Sequence, residues 1–248
     1  TRRGFPSFMY SNGSFFSGHF MQECIDAGLS FARFSCIGYN KDKYKEWMAV
    51  DNFELLKTNI IKAKEYVKET DSKCVISSYH LILDNNQIEY EVEQYRNNFI
   101  GPTGSIGYIW KMHNWSGNYQ PLYVRDPSKR RTCGRPFAPE ITIRSGGNGG
   151  LKGAVTPCCQ TMGPPNESKS VLGHVQNQTI EEIWYGDEYN KLRKAHELGD
   201  FDSIDYCKNC DFLYEDPEVL VWSNDKTATP DHMLGTNFSL KDYMIDEN

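Results

Sequence analysis

The chain has 248 residues, 24% of them charged and 13% aromatic, with a formal net charge of -6. This is the composition of an ordinary globular protein of one large domain, or of one medium and one small domain. The negative balance, broken only by the basic cluster Lys129-Arg130-Arg131, excludes nucleic acid as an expected partner, and no run approaches the ~18 apolar residues that would make a membrane one.

Residues 5–10 read as a strand closed by the turn Ser11-Asn12-Gly13. A helix is expected next, with Ser17 as its N-cap, Gly28 as its stop, and Phe20, Met21, Cys24 and Ile25 on one face. Residues 31–36 form a second strand. Asp51, followed three positions later by Glu54, reads as a capping box for a helix whose apolar stripe is Phe53, Leu56, Ile60, Ala63 and Val67. Residues 74–79 are a third strand, 87–99 a helix with Ile88, Val92, Tyr95 and Phe99 in register, and 105–110 a fourth strand. Strand–helix alternation implies parallel strands with helical crossovers. Four such units are too few for an eight-stranded barrel and suit an open or partial one.

The pattern changes near Tyr119. Residues 120–135 hold Pro121, Pro127 and the basic cluster and read as a linker. Residues 141–144 and 153–157 flank a glycine-rich turn at 146–150, which makes a hairpin. A phosphate cradle is the weaker reading of those glycines, because neither a Lys-Ser/Thr pair nor a helix follows. Residues 162–170 are a looser stretch. Thr179 and Glu182 form a second capping box, opening a helix with Ile180, Ile183 and Trp184; another helix over 187–198 ends at Gly199. The tail after Trp222 is polar.

Eight cysteines would allow four disulfides in a secreted protein. Their uneven clustering, and a start without the apolar core of a signal peptide, favour a reducing, cytoplasmic setting with a metal site. Cys207-Lys208-Asn209-Cys210 places two thiolates on a turn. Cys133 and Cys158 from distant segments complete a four-coordinate set, for either a tetrahedral zinc or a cubane iron–sulfur cluster. Cys159 is a packing neighbour or an alternate ligand. Cys24, Cys36 and Cys74 lie on apolar faces and read as core thiols, with Cys36 near a strand end.

Taken in order, Cys133-Gly-Arg-Pro-Phe137, Ile141-Thr-Ile143, Val155-Thr-Pro-Cys-Cys159, Leu172-Gly-His-Val175, Thr179-Ile-Glu-Glu-Ile-Trp184, Leu192-Arg193 and Cys207-x-x-Cys210 look familiar. Over about residues 131–215 they resemble the SPASM (twitch-like) auxiliary-cluster domain found C-terminal to the radical S-adenosylmethionine (radical SAM) core. The first half resembles the later strands of that core. Tyr10-Ser-Asn-Gly13 stands at its Thr-Asn-Gly turn, and Ser35-Cys-Ile-Gly38 at its Ser-x-Asp-Gly.

The resemblance implies an α/β chain, with a partial (β/α) barrel at 1–120, a small α+β cysteine-rich SPASM-like domain at 121–222, and a polar extension at 223–248. It implies one auxiliary [4Fe-4S] cluster on Cys133, Cys158, Cys207 and Cys210, with Cys158 preferred because the family's Pro-Cys comes first. Four cysteines leave no open coordination position, which favours electron transfer over substrate ligation. Asn12 and Ser35, at strand C-termini where such folds bind ligands, would touch S-adenosylmethionine or substrate; plain turn chemistry is their other reading. His113 and Trp115 after the fourth strand either reach substrate or form an ordered loop. The implied function is radical modification of a peptide or small molecule, with an electron-transfer protein as a further partner.

The family's C-x-x-x-C-x-x-C loop and its Gly-Gly-Glu-Pro-type motif are missing from this sequence. The chain is therefore expected to be the back part of a longer protein that holds S-adenosylmethionine and a second [4Fe-4S] cluster, and not to cleave S-adenosylmethionine by itself. His174 stands where the family usually has Asn, and the glycine turn is longer than usual. A degenerate, non-catalytic relative and a zinc-stabilised binding module are the competing readings.

Overall fold

Residues 4–84, 86–119, 127–146, 151–161, 169–214 and 219–222 are described by the structure, a computed structural model. They belong to two compact units, Thr1–Met112 with Glu218–Asn248, and His113–Pro217. The stretches 120–126, 147–150 and 162–168, and the tail after Trp222, lie outside the described residues.

In the first unit β1 (Phe8–Ser11), β2 (Phe31–Ser35), β3 (Val75–Ile82) and β4 (Ile106–Lys111) pair in parallel, in chain order. Helices α1 (Gly18–Asp26), α2 (Lys41–Met48), α3 (Phe53–Glu69) and α4 (Ile88–Tyr95) fill the crossovers. The four strands foreseen are thus present, with ends displaced by at most three residues. A fifth, β8 (Val219–Trp222), pairs antiparallel with β4. The division read from sequence grouped these four residues with the second region, whereas they complete the first sheet.

One face of the sheet carries Ala32, Phe34, Ile76 and Ile109 against Phe16, Met21, Ile25, Phe53, Leu56, Ile60, Tyr95 and Phe99 from the crossovers. Burying each of the larger side chains contributes about 1.5–3 kcal/mol. The other face holds Phe31 and Tyr108 with Val75, Tyr79, Ile106 and Trp110. Arg33 shares it, with its guanidinium carbon 3.6 Å from the Tyr108 ring centroid. Both faces of β2 are covered, which is why four of its five residues are buried.

The α3 stripe is as expected: Phe53, Leu56, Ile60 and Ala63 are buried and Val67 is partly so. Its cap is not. The helix starts after Asn52, whose side chain makes no cap bond, and Asp51 instead faces Lys41 and Lys45 at 3.6 Å each. Two nearby ammonium groups compete with the helix N–H for that carboxylate. Ser17 stands at the N-cap of α1 but likewise makes no side-chain bond, and Phe20 is 50% exposed. Helix α2 gave no apolar stripe to read, since Tyr44 is its one buried residue; the Asn40 side chain caps it by accepting from Lys43 N–H at 2.9 Å. The helix expected over 87–99 runs past its foreseen end. It continues through a π-turn, Arg96–Ile100, into α5 (Gly101–Thr103). Pro102 has no N–H to give to a regular ladder, and a wider turn absorbs that loss.

Beyond β2 the chain turns sharply at Gly38. Its φ of +129° is one that side-chain-bearing residues rarely adopt, and a Cβ there would strike the Tyr44 backbone in α2. Gly38→Ala is therefore expected to cost about 3 kcal/mol or more and to lower the melting temperature by roughly 10 °C. Thermal unfolding followed by circular dichroism checks this; an unchanged melting temperature would mean that the turn has another conformation open to it.

A buried pair fastens the same turn. Gly38 N–H donates to His80 Nδ1 at 3.0 Å. The other ring nitrogen, Nε2, therefore carries the hydrogen and donates to Glu91 at 3.2 Å. Glu91 also accepts from Leu83 N–H at 2.8 Å and Asp84 N–H at 2.7 Å. The two side chains are 0% and 2% exposed. Burial holds the His80 pKa below the usual histidine range, in keeping with a neutral ring.

The second unit has a small antiparallel sheet, β5 (Thr142–Ile143), β6 (Ala154–Thr156) and β7 (Gly173–His174), with helices α6 (Ile180–Trp184) and α7 (Asp187–Leu198). The hairpin of β5 and β6 is the one expected. β7 is too short to show a period in sequence. The Thr179–Glu182 capping box is complete: Glu182 N–H donates to Thr179 Oγ1 at 3.1 Å, and Thr179 N–H to Glu182 Oε2 at 2.8 Å. Gly199 ends α7 at φ +70°. Val155, Leu172, Ile183, Tyr189, Leu192, Ile204 and Tyr206 make the core. Among the described residues no helix is long and apolar enough to cross a membrane.

Candidate metal centre

Each of the thiols singled out in sequence is held by its own local device. Cys207 and Cys210 sit on a turn in which Cys210 N–H donates to the Cys207 carbonyl at 2.8 Å. That turn is tied down at both ends of its exit. Asn114 N–H donates to Asp211 Oδ2 at 2.9 Å, Asp211 N–H returns a bond to Asn114 Oδ1 at 3.1 Å, and Asn114 Nδ2 donates to the Asn209 carbonyl at 2.7 Å. Cys133 lies in a segment whose Arg131 N–H donates to the Leu213 carbonyl at 2.6 Å, just past Cys210. Cys158 follows β6, and its carbonyl accepts from Thr161 Oγ1 at 3.0 Å.

The folding of the second unit brings Cys133, Cys158, Cys207 and Cys210 within electrostatic reach of one another. Burial is the largest influence on each and raises its pKa, to about 12 for Cys158 and Cys210 and further for Cys207. Neighbouring thiols push the same way. Cys158, Cys210 and Cys133 all act on Cys207, and Cys133 acts on Cys210. Backbone groups oppose this, and three of them share one pattern. The N–H two residues on faces the sulfur: Arg135 for Cys133, Gln160 for Cys158, Phe212 for Cys210. The Ser116 hydroxyl faces Cys210 as well. Such N–H···S contacts stabilise thiolate charge and tune the metal it binds.

Cys159 differs. It is exposed, while Cys158 beside it is not. Its sulfur is approached by Arg135 Nη1 at 4.0 Å and Gln160 Nε2 at 3.8 Å. Cys24, Cys36 and Cys74 belong to the apolar core of the first unit, as expected of core thiols. Cys36 is fully buried on the helix side of the sheet, with its pKa pushed well up by burial.

A group of four buried or half-buried thiols that oppose one another's ionisation is chemically suited to an iron or zinc centre, whose positive charge removes that conflict. Among the described residues, no three Cys, His, Asp or Glu side chains stand as a ready-made site for a metal ion.

Asn12 and Ser35 are brought close together, at the C-terminal ends of neighbouring strands, since Ser11 pairs with Phe34. Asn12 is exposed and its Oδ1 accepts from Ser14 N–H at 3.0 Å; Ser35 Oγ donates to the Tyr79 hydroxyl at 3.0 Å. His113 packs within the second unit, its ring 4.1 Å from Trp115 and 5.6 Å from Phe212. Trp115 and Ser116 both have left-handed backbone, at φ 44° and 58°, a strained pair next to Cys210. Sequence reasoning missed Asn114, Ser116, Asp211 and Arg135 as members of the site.

Two histidines of this unit give it a pH dependence. Burial lowers His113 and His196 to about 4, with the Arg135 charge adding to the effect on His113. An unfolded imidazole takes its proton near 6.5. Stability is then full above pH 6.5 and is lost as pH falls from 6.5 towards 4, by about 2 kcal/mol per histidine at pH 5. Urea unfolding at pH 7.5 and 5.0, followed by tryptophan fluorescence, is expected to show this loss. His196→Asn should flatten it; equal slopes in the two proteins would remove His196 from the account.

Residues 150–211 match the SPASM family, an iron–sulfur cluster-binding domain. The matched segment contains Cys158, Cys159, Cys207 and Cys210 and starts after Cys133. No curated protein matches. Two solved structures of BtrN are similar in part. BtrN in complex with AdoMet and 2-DOIA is 16% identical, over 77% of this chain and 76% of that one, with a TM-score of 0.34. BtrN in an open conformation is 14% identical, over 84% and 92%, with a TM-score of 0.28. Superpositions this loose carry no argument about the site.

Proposed function

We propose, from the premise that this chain carries a SPASM iron–sulfur cluster-binding domain, that it works in a radical SAM enzyme modifying a peptide or small-molecule substrate. Its first unit contributes the later strands of the barrel. Its second unit holds one auxiliary [4Fe-4S] cluster on Cys133, Cys158, Cys207 and Cys210. The observation that carries this reading is the gathering of four thiols, from three separated segments, in the unit where the family match falls.

When bound, such a cluster supplies a one-electron acceptor or donor. The rest is done by the chain's own residues. Four thiols leave no position open for substrate. The N–H groups of Arg135, Gln160 and Phe212 support three of them. The Asn114–Asp211 pair keeps the Cys207–Cys210 turn in place. Asn12 and Ser35 would meet S-adenosylmethionine or substrate at the edge of the sheet. A separate electron-transfer protein would receive the electron.

The match to an iron–sulfur cluster-binding domain favours the cluster over zinc. The deciding experiment is the iron, sulfide and zinc content of the chain purified without oxygen. About four iron and four sulfide per chain are expected. About one zinc and no sulfide would overturn the electron-transfer role in favour of a structural site.

A further inference from the structure

We infer that Arg135 is the counter-charge of the auxiliary cluster and raises its reduction potential; this rests on the cluster reading above. The residue opens the short turn Arg135–Phe137, two positions after Cys133. Gly134, at φ +75°, reverses the chain there, so that Arg135 N–H faces the Cys133 sulfur. The turn is fastened to α7: Arg193 Nε donates to the Pro136 carbonyl at 3.0 Å, and Arg193 Nη1 to the Trp184 carbonyl at 2.8 Å. The Arg135 side chain is thereby fixed towards the thiols. Its Cζ lies 5.2 Å from the centre of the Phe212 ring, the residue whose N–H serves Cys210. Its Nη1 stands 4.0 Å from Cys159 Sγ, beside Cys158. One guanidinium thus reaches the surroundings of Cys133, Cys158 and Cys210 together.

A full positive charge is thereby placed beside Cys159, the neighbour of Cys158, and over the ring of Phe212, two residues from Cys210. A four-cysteine cluster is negative when oxidised and gains one further negative charge on reduction. A fixed cation in a low-dielectric setting stabilises the more negative state, so it favours uptake of the electron. An arginine suits this role because its guanidinium stays charged when half-buried.

The test uses the whole chain, reconstituted with iron and sulfide without oxygen, as wild type, Arg135→Gln and Arg135→Lys. Iron and sulfide content are measured first. The midpoint potential is then read by electron paramagnetic resonance during reduction with dithionite. Arg135→Gln is expected to keep its iron and to be at least tenfold harder to reduce, 59 mV for one electron. Arg135→Lys should stay within about threefold of wild type, the charge being kept. A fully loaded Arg135→Gln protein with an unmoved potential overturns the inference and leaves the cluster reading standing. Wild-type protein without sulfide overturns both. Should Arg135→Gln lose its iron, the lysine variant decides alone: a wild-type potential supports the charge role, and a tenfold shift sinks it.

Discussion

Replacing Cys207 or Cys210 with Ala is expected to drop bound iron from about four per chain to below about one, because a cubane that loses one of four thiolates is held far less tightly. The same change should destabilise the second unit by at least about 3 kcal/mol, a fall of roughly 10 °C or more in its melting temperature. The reason lies in how little else holds that unit. Its sheet has strands of two and three residues, and its core is built mainly around α6 and α7. Cys159→Ser is the matched control: this thiol is exposed whereas Cys158 beside it is not, and its loss should leave iron and melting temperature near wild type. Anaerobic iron assay together with calorimetry checks all three. If both alanine variants keep full iron and stability, the ligand assignment is wrong.

The second large effect is expected far from the thiols. Glu91→Ala removes the acceptor for His80 Nε2, Leu83 N–H and Asp84 N–H at once, in a place with almost no access to water. One buried and two half-buried donors left without this acceptor should cost about 3–5 kcal/mol, enough to unfold a marginal domain. Glu91→Gln keeps one acceptor oxygen and should cost about half as much. Because His80 also receives the Gly38 N–H, the loss should loosen the turn beside Ser35. Amide hydrogen exchange at Gly38 reads this directly. Wild-type protection at Gly38 in a destabilised Glu91→Ala protein would show that the pair supports the fold without positioning the turn.

Local signals were legible in the sequence and distant ones were not. The α3 stripe, the Thr179–Glu182 box and the helix stop at Gly199 depend on residues within a few positions of one another, and each is found where the residue pattern put it. Asp51–Glu54 shows the same pattern and fails, because Lys41 and Lys45 from a neighbouring helix take the carboxylate. Helix α2 stayed hidden because one buried residue makes no stripe, and β7 because two residues make no alternation. The cysteines announced themselves through their chemistry. Their supports did not: Asn114 meets Asp211 across 97 positions, and nothing in either residue's surroundings in sequence points to the other. Arg135 read as part of a linker, since its importance depends on where the chain later brings Cys158 and Phe212.

Strand β8 sets an order on the making of this protein. It pairs with β4, yet the whole second unit lies between them in the chain. During synthesis β4 therefore stays an open edge until Trp222 has left the ribosome, and an open edge is a template for pairing with another chain. Closing a free loop of that size costs on the order of 4 kcal/mol. The cost is smaller once the second unit has folded, because most of the intervening chain is then already ordered. Iron supply during translation would then influence how many nascent chains seal their sheet and how many aggregate through it.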